Sequence, residues 1–435
     1  MNLLKNKNVK TLKTVLKILE KETLEIFLGI IAVIIFIFYY KKVSFMSLID
    51  FTIIVPFLIL YFSKILSDFF SRILINKIED YIKLERDYNA LVNRYPLEKK
   101  FVEYDNRFSE VKSLIRNKVE TKFHEKKDNY IFPIVIEVEM KNKKINVKDD
   151  KNKEYILPEI IKNSYEHLMN AHSTSALYNQ INIRLDKIEE KNDLINLHTS
   201  RTMYYDSLVT NRVMDFKLFN NISIRDMLDP GPYINTIEKS LLSNHIGFNI
   251  YIKTKDNKLI FIKRNMNVSI GKGTLGSSVA ASLKTRYCLD ENLNFSIEGI
   301  KRAVLEEMND ELGIQLEGKE KETFSIEKNL KMIYRDIIEG GKPQFLFYLE
   351  LNKDQEEVTD LFRKNLMKKD KKYETIVDGD EIVFLDLNNK KDLYLSPDTI
   401  IFGKDRYPVL PSVSGTLAYL LNSLEKTTNS DNSSE

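Results

Sequence analysis

Only one of the 14 glycines in this 435-residue chain, Gly29, precedes position 231. Glycine supplies the left-handed backbone that tight turns need. A first half so short of it is expected to be helical, built from the Lys, Glu, Leu and Ile that dominate it. The other glycines fall from position 231 onward and mark the turns of a mixed domain. The length suggests about three domains.

Two apolar runs lie near the N terminus. Ile26 to Tyr40 carries no charge, and Phe45 to Ser63 is interrupted only by Asp50. Each approaches the roughly 20 residues that cross a hydrocarbon core. A signal peptide is the alternative for the first run, but Lys41 and Lys42 follow it directly and a second run comes at once. Residues 1–70 are therefore expected to form a membrane helical hairpin. Lys5, Lys7, Lys10, Lys13, Lys17 and Lys21 precede it, and Lys64, Arg72 and Lys77 follow it. The positive-inside rule then puts both termini in the cytoplasm.

Residues 71–127 read as a helical stalk, with one break at Tyr95-Pro96 and a charged helix from about Leu97 to Lys126. Residues 128–245 read as an α+β regulatory or ligand-lid region. Strands are expected at Tyr130–Met140 and near Ile145–Val147, and a helix over 158–195. The stretch from Ser200 to Arg212 is dense in nucleotide-binding residue types. Arg201 and Arg212 suit phosphate, and Tyr204 and Tyr205 suit base stacking. An interdomain surface of ordinary ion pairs is the alternative for the same residues.

From 246 to 425 the pattern is strand hairpin, glycine-containing loop, helix, strand hairpin, helix, strand and closing helix. Residues 426–435 read as a disordered polar tail. Lys263 and Arg264 end the second strand, and Lys272 sits in the loop Gly271–Gly276; all three are candidate ligand contacts. The single cysteine, Cys288, excludes an intramolecular disulfide and any multi-cysteine zinc site. The net charge of +3 gives no argument for a nucleic-acid partner.

The helix expected at Phe295–Ile314 carries the most specific pattern. Ile300, Ala303, Val304 and Met308 share one face, Ser296 is placed to cap the start, and Gly313 to stop the end. Glu307, Asp310 and Glu311 project together, as a solvated acidic face or as ligands for a hard cation. Glu298, Glu306-Glu307, Met308, Asp310-Glu311 and Gly313-Ile314 keep the spacing of the signature GX5EX7REUXEEXGU. In this the segment 246–425 resembles the Nudix family. Asn292 replaces the leading glycine, and Glu306 replaces the arginine that orients the family's glutamates; Asp310 stands on a signature glutamate.

The resemblance implies a mixed-sheet α/β/α sandwich, with magnesium at Glu307, Asp310 and Glu311. The expected fold class is thus a membrane hairpin plus a cytosolic α+β part, with a helical stalk between. The whole order resembles membrane effectors of the bacterial cyclic-oligonucleotide antiphage systems (CBASS). That resemblance implies a cyclic (oligo)nucleotide ligand, homo-oligomerisation and disruption of the inner membrane, with no catalytic residue assigned. The alternatives are a membrane-anchored, magnesium-dependent Nudix hydrolase of a nucleoside diphosphate derivative, and a scaffold that uses the fold only for interaction.

Overall fold

Pairing between segments distant in sequence, more than glycine, defines the strands of this protein. The computed structural model describes residues 63–64 and 83–431, apart from 107–111, 116–117, 122–128, 173–176, 219–220, 266–267, 269 and 371–378. The chain divides after Ile82, and residues from Lys83 onward belong to one unit.

That unit opens with helix α1 (Tyr88–Arg94), capped by Asp87, which accepts from Ala90 N. Strand β1 (Phe101–Asp105), the hairpin β2 (Lys112–Ile115) and β3 (Lys118–Thr121), then β4 (Asn129–Glu139) and β5 (Lys144–Glu154) follow. Strands β6 (Ile181–Lys191) and β7 (Leu194–Met203) lead into helices α2 (Tyr204–Val209) and α3 (Ile224–Leu228). Next come β8 (Gly247–Lys253), β9 (Lys258–Arg264), β10 (Leu275–Gly276), β11 (Val279–Ser282) and helix α4 (Ile297–Leu312). Strands β12 (Leu330–Asp336) and β13 (Lys342–Glu350), helix α5 (Gln355–Asp370) and strand β14 (Gly379–Asp386) follow. Strands β15 (Leu393–Ser396), β16 (Thr399–Phe402) and β17 (Asp405–Pro408) precede the closing helix α6 (Pro411–Asp431).

A nine-stranded mixed sheet orders the unit as β1-β4-β12-β13-β8-β9-β10, with β11 also on β8 and β14 on β9. Only β8 and β13 pair in parallel within it; Phe248 stands opposite Phe345 and Ile250 opposite Phe347. Its two faces bury separate cores. Helices α4 and α5 cover one, packing Ile300, Val304, Met308, Val358 and Phe362 against Phe248, Ile250, Phe345 and Phe347. The small sheet β5-β7-β6 adds Ile145, Ile183, Leu185, Ile195 and Leu197 to the same core. Helix α6 covers the other face, where Leu417, Ala418 and Leu421 meet Phe132, Ile134, Tyr251 and Leu346. Each fully buried aliphatic or aromatic side chain contributes roughly 1.5–3 kcal/mol.

Among the described residues no helix is long and apolar enough to cross a membrane. On that finding the described fold is α+β with mixed sheets, in place of a membrane hairpin joined to a cytosolic α+β part, and the expected inner-membrane placement is corrected with it. The two apolar runs assigned to the hairpin, within 1–70, lie outside the described residues except for 63–64.

The stalk helix expected from Leu97 is also corrected. Phe101–Asp105 is an edge strand of the main sheet, with Val102 buried and paired to Phe132. Long-range pairing overrides the local helical pattern there. The expected boundary at 245/246 is crossed by the sheet itself, since β4 pairs with β12. The helix expected over 158–195 gives way to two short helices, at 159–162 and 165–170, and to strand β6. At the C terminus helix α6 continues through 426–431, where a disordered tail is expected.

Candidate functional site

Helix α4 forms as its sequence predicts. Ser296 Oγ accepts from Gly299 N at 3.3 Å, and Gly313 closes the helix at φ +70°, its N–H donating to Asn309 O. A left-handed cap of this kind favours glycine. The acidic residues of the helix do not converge, however. Glu307 is buried and holds Lys284 Nζ 2.5 Å from its Oε1. Burial pushes its carboxyl up, and Lys284 opposes that shift. Asp310 accepts from Tyr287 Oη at 2.5 Å, and Glu311 accepts a long bond from Ala280 N at 3.4 Å. Glu298 and Glu306 are exposed. Among the described residues no group of three or more His, Cys, Asp or Glu is arranged to hold a metal ion. A lysine ammonium already neutralises the buried carboxylate, so the side chains fit a divalent cation poorly.

The start of α4 is fixed by the small sheet. Asp149 of β5 makes a two-pronged pair with Arg201 of β7, at 2.7 Å through each oxygen, and also accepts from Phe295 N at 2.9 Å. Arg201 Nη2 donates to Leu293 O at 3.1 Å. Arg201 is 7 % exposed. Its guanidinium is thus engaged in holding the helix entry, away from the phosphate role its residue type suggests. Its partner hydrogen bonds hold the Asp149 carboxyl low against the opposing effect of burial.

Two of the predicted ligand residues, Arg212 and Arg264, are brought together elsewhere, at Glu339. Arg212, Arg264 and Lys272 come from three separate segments and are each half-buried. Arg212 and Arg264 act on Glu339 in the turn between β12 and β13, which bends through Gly340 and Gly341 at φ +65° and +75°, while Lys272 acts with Arg212 on His172. The left-handed φ of Gly340 favours glycine, and a Cβ there would also meet Met214 Sδ at 2.7 Å. The turn is also gripped from below by the fully buried Arg225, which donates to Ile337 O and Ile338 O at 2.8 Å each and pairs with Asp215.

At the centre of this turn Glu339 Oε2 lies 3.2 Å from Arg212 Nε and 3.3 Å from Lys342 Nζ. Despite burial, the charges of Lys342, Arg212 and Arg264 hold the Glu339 carboxyl low. The neighbouring Asp336 shifts the other way. Burial raises it to about 7, and the Glu339 charge adds to that. Two buried carboxylates side by side rarely ionise together. Burial brings Lys342 down to about 8. Lys83, Arg212 and Lys272 also act on His172, which burial lowers to about 3. Three cations (Arg212, Arg264 and Lys342) therefore act on the one carboxylate of Glu339, and Lys83 and Lys272 join Arg212 about His172. Positive charge concentrated in a poorly solvated place is suited to an anion, above all a phosphate.

The other two predicted contacts lie apart from this cluster. Lys263 reaches across the β9–β14 ladder to Glu381 at 2.7 Å on an exposed surface. Tyr205 packs its ring 6.5 Å from that of Tyr204. Lys342, Glu339, Asp336 and His245 escape the sequence reading; the opposite charges that flank Gly340-Gly341, Glu339 before and Lys342 after, are the one local signal of a buried ion pair. No protein-family model and no curated protein matches the sequence.

Proposed function

We propose that the unit from Lys83 onward is a receptor for a cyclic (oligo)nucleotide, which it binds without hydrolysing. The observation that carries this reading is the cluster of Arg212, Arg264 and Lys342 about the buried carboxylate of Glu339. Cyclic nucleotides bring phosphodiester charge that these side chains would neutralise. The helix with the Nudix-like spacing acts in this reading as scaffold. Its buried glutamate, Glu307, is neutralised by Lys284, and its charge-reversed Glu306 offers no orienting cation. Assembly of several copies is the proposed response to the ligand.

The test is a titration of the full chain with cyclic di- and trinucleotides, followed by sizing with and without the best binder. The expected result is saturable binding, weakened by salt, and a shift to larger species. Absence of binding to every member of the panel would overturn the receptor reading. Magnesium-dependent turnover of a nucleoside diphosphate derivative, lost in Glu307→Gln, would establish the hydrolase in its place.

A further inference from the structure

A groove of about 290 Å³ runs where the end of α4 meets one face of α5. The two helices touch closely there. A Cβ on Gly313 would stand 2.9 Å from Asn365 Cβ and 3.0 Å from Leu361 O. Asn365 Nδ2 donates to Asp310 O at 2.9 Å, which occupies one of the carbonyls that a helix end leaves open. On α5 the groove is bordered by Leu361, Lys364, Asn365 and Lys368. Steps of three and four residues put these on one helix face, over about 10 Å of its length. Lys364 and Lys368 are exposed and Lys353 is half-buried, so the groove opens to solvent.

Three lysines border this groove, Lys353, Lys364 and Lys368, against one carboxylate, Glu317. Among the described residues none of these three lysines has an ion-pair partner, whereas Lys253, Lys258 and Lys263 on β8 and β9 each have one. Like charges one turn apart on a helix repel, so Lys364 and Lys368 border the groove at a cost that an anion would remove. A lysine near a helix C terminus balances the macrodipole. That effect does not account for Lys353, which precedes the first turn of α5 and borders the same groove. Gln315 Nε2 donates to Asn309 Oδ1 at 3.2 Å, which leaves the Asn309 amide nitrogen as a further donor at the groove.

We propose that this groove binds a short polyphosphate anion, a chain of two or three phosphate groups. The site shares no residue with the Glu339 cluster, and the inference does not rest on the receptor reading. An ammonium gives a phosphate oxygen a charge-assisted hydrogen bond. Three ammonium groups distributed along the groove suit charge distributed along a chain, where a single phosphate would meet only part of them. The volume lies just below the roughly 300–1,000 Å³ of pockets for drug-sized ligands, which favours a compact anion over a whole cyclic dinucleotide. An acidic peptide would bring carboxylates on a backbone that this volume has little room to hold.

The test is calorimetric titration of the full chain with inorganic triphosphate, inorganic phosphate and a tetraglutamate peptide, at about 0.15 M salt to screen unspecific attraction. The expected result is one triphosphate per chain, bound about tenfold or more tightly than phosphate or peptide. Lys364→Gln/Lys368→Gln should weaken it about tenfold, and Lys364→Arg/Lys368→Arg should keep most of the affinity. Lys99→Gln/Lys100→Gln removes the same charge from exposed lysines outside the groove and should leave binding unchanged. Both lysines of the groove pair are exposed, so the variants should keep the wild-type melting temperature. A wild type that does not bind triphosphate saturably overturns the site without needing any variant. Triphosphate affinity that survives Lys364→Gln/Lys368→Gln overturns it too, because the anion then sits elsewhere. An equal loss in Lys99→Gln/Lys100→Gln would reduce the effect to net charge, and tighter binding of the peptide would make the groove a surface for acidic segments; either result overturns the polyphosphate site.

Discussion

Lys284 Nζ lies 2.5 Å from Glu307 Oε1, so the buried carboxylate of the acidic helix face carries its own counter-ion. The lysine ends the segment after β11 and the glutamate projects from the middle of α4. The pair therefore ties the helix to the edge of the main sheet. Its ammonium also lies over the ring of Tyr287 at 5.7 Å. A carboxylate held this way has little need of a metal ion, and the same contact that stabilises the fold removes a ligand from the helix.

Lys284→Met should expose that dependence. The substitution keeps the stem but leaves Glu307 buried without a partner, a loss of about 3 kcal/mol in unfolding free energy. Denaturant unfolding of the single variant should show the drop. The double variant Lys284→Met/Glu307→Gln should recover most of it, because no charge is then left buried. A single variant as stable as the wild type would mean that Glu307 is held by other contacts.

Arg225 should be among the least replaceable residues of the unit. Its guanidinium satisfies Asp215, two backbone carbonyls of the β12–β13 turn and Tyr95 Oη at once. A lysine cannot reproduce that fork. Arg225→Lys should destabilise the protein by about 3 kcal/mol, and loosen the turn that carries Glu339. Hydrogen exchange of the amides at 336–342 should accelerate in the variant; unchanged protection there would detach the turn from Arg225.

The Asp336–Glu339 pair should leave a signature in the pH dependence of stability. Burial and Glu339 raise the folded Asp336 to about 7, above its ordinary 3.8. Between those values the folded state holds more protons than the unfolded one, so this group's contribution falls as pH rises. The stability it contributes is complete below about pH 4 and is lost by about pH 7, with a slope of at most about 1.4 kcal/mol per pH unit. In Asp336→Asn that slope should vanish. Thermal unfolding of both proteins from pH 4 to 7 measures it, and parallel curves would sink the assignment.

What was legible in the sequence depended on how local its cause was. The caps of α4, its apolar face and both hairpins of the last two hundred or so residues follow from neighbouring residues, and they form as read. Of the middle region, β4 and β5 are legible at Tyr130–Met140 and near Ile145–Val147, whereas β6 and β7 are hidden, because asparagine does glycine's work there. Asn142 and Asn192 turn the chain at φ +59° and +55°, between β4 and β5 and between β6 and β7. Asparagine visits the left-handed region readily, so a scarcity of glycine did not mean a scarcity of turns. The ligand candidates divide in the same way. Arg212, Arg264 and Lys272 were visible by residue type, and the meeting of the first two depends on tertiary packing. Arg201 follows the alternative reading, an ordinary ion pair, and its partner Asp149 sits 52 residues away on a neighbouring strand.

The last prediction concerns a residue that stands where its side chain should not. Leu293 adopts φ +62° just before α4, in the left-handed region that a leucine enters at a cost of about 1–2 kcal/mol. Its side chain is 63 % exposed, so little burial offsets the strain. The conformation is imposed by its surroundings: Arg201 holds the Leu293 carbonyl, and Asp290 Oδ1 accepts from the amides on either side, Asn292 N and Asn294 N. The position lies one residue after Asn292, where the helix signature has its glycine. Leu293→Gly should relieve the strain but raise the entropy of the unfolded chain, leaving a net gain of about 0.5 kcal/mol. Leu293→Asn keeps a side chain, tolerates the left-handed region and should gain about 1 kcal/mol. Denaturant midpoints ranked Asn above Gly above Leu would establish that the turn before α4 is strained by its leucine. A leucine as stable as asparagine would mean that the turn tolerates it without strain.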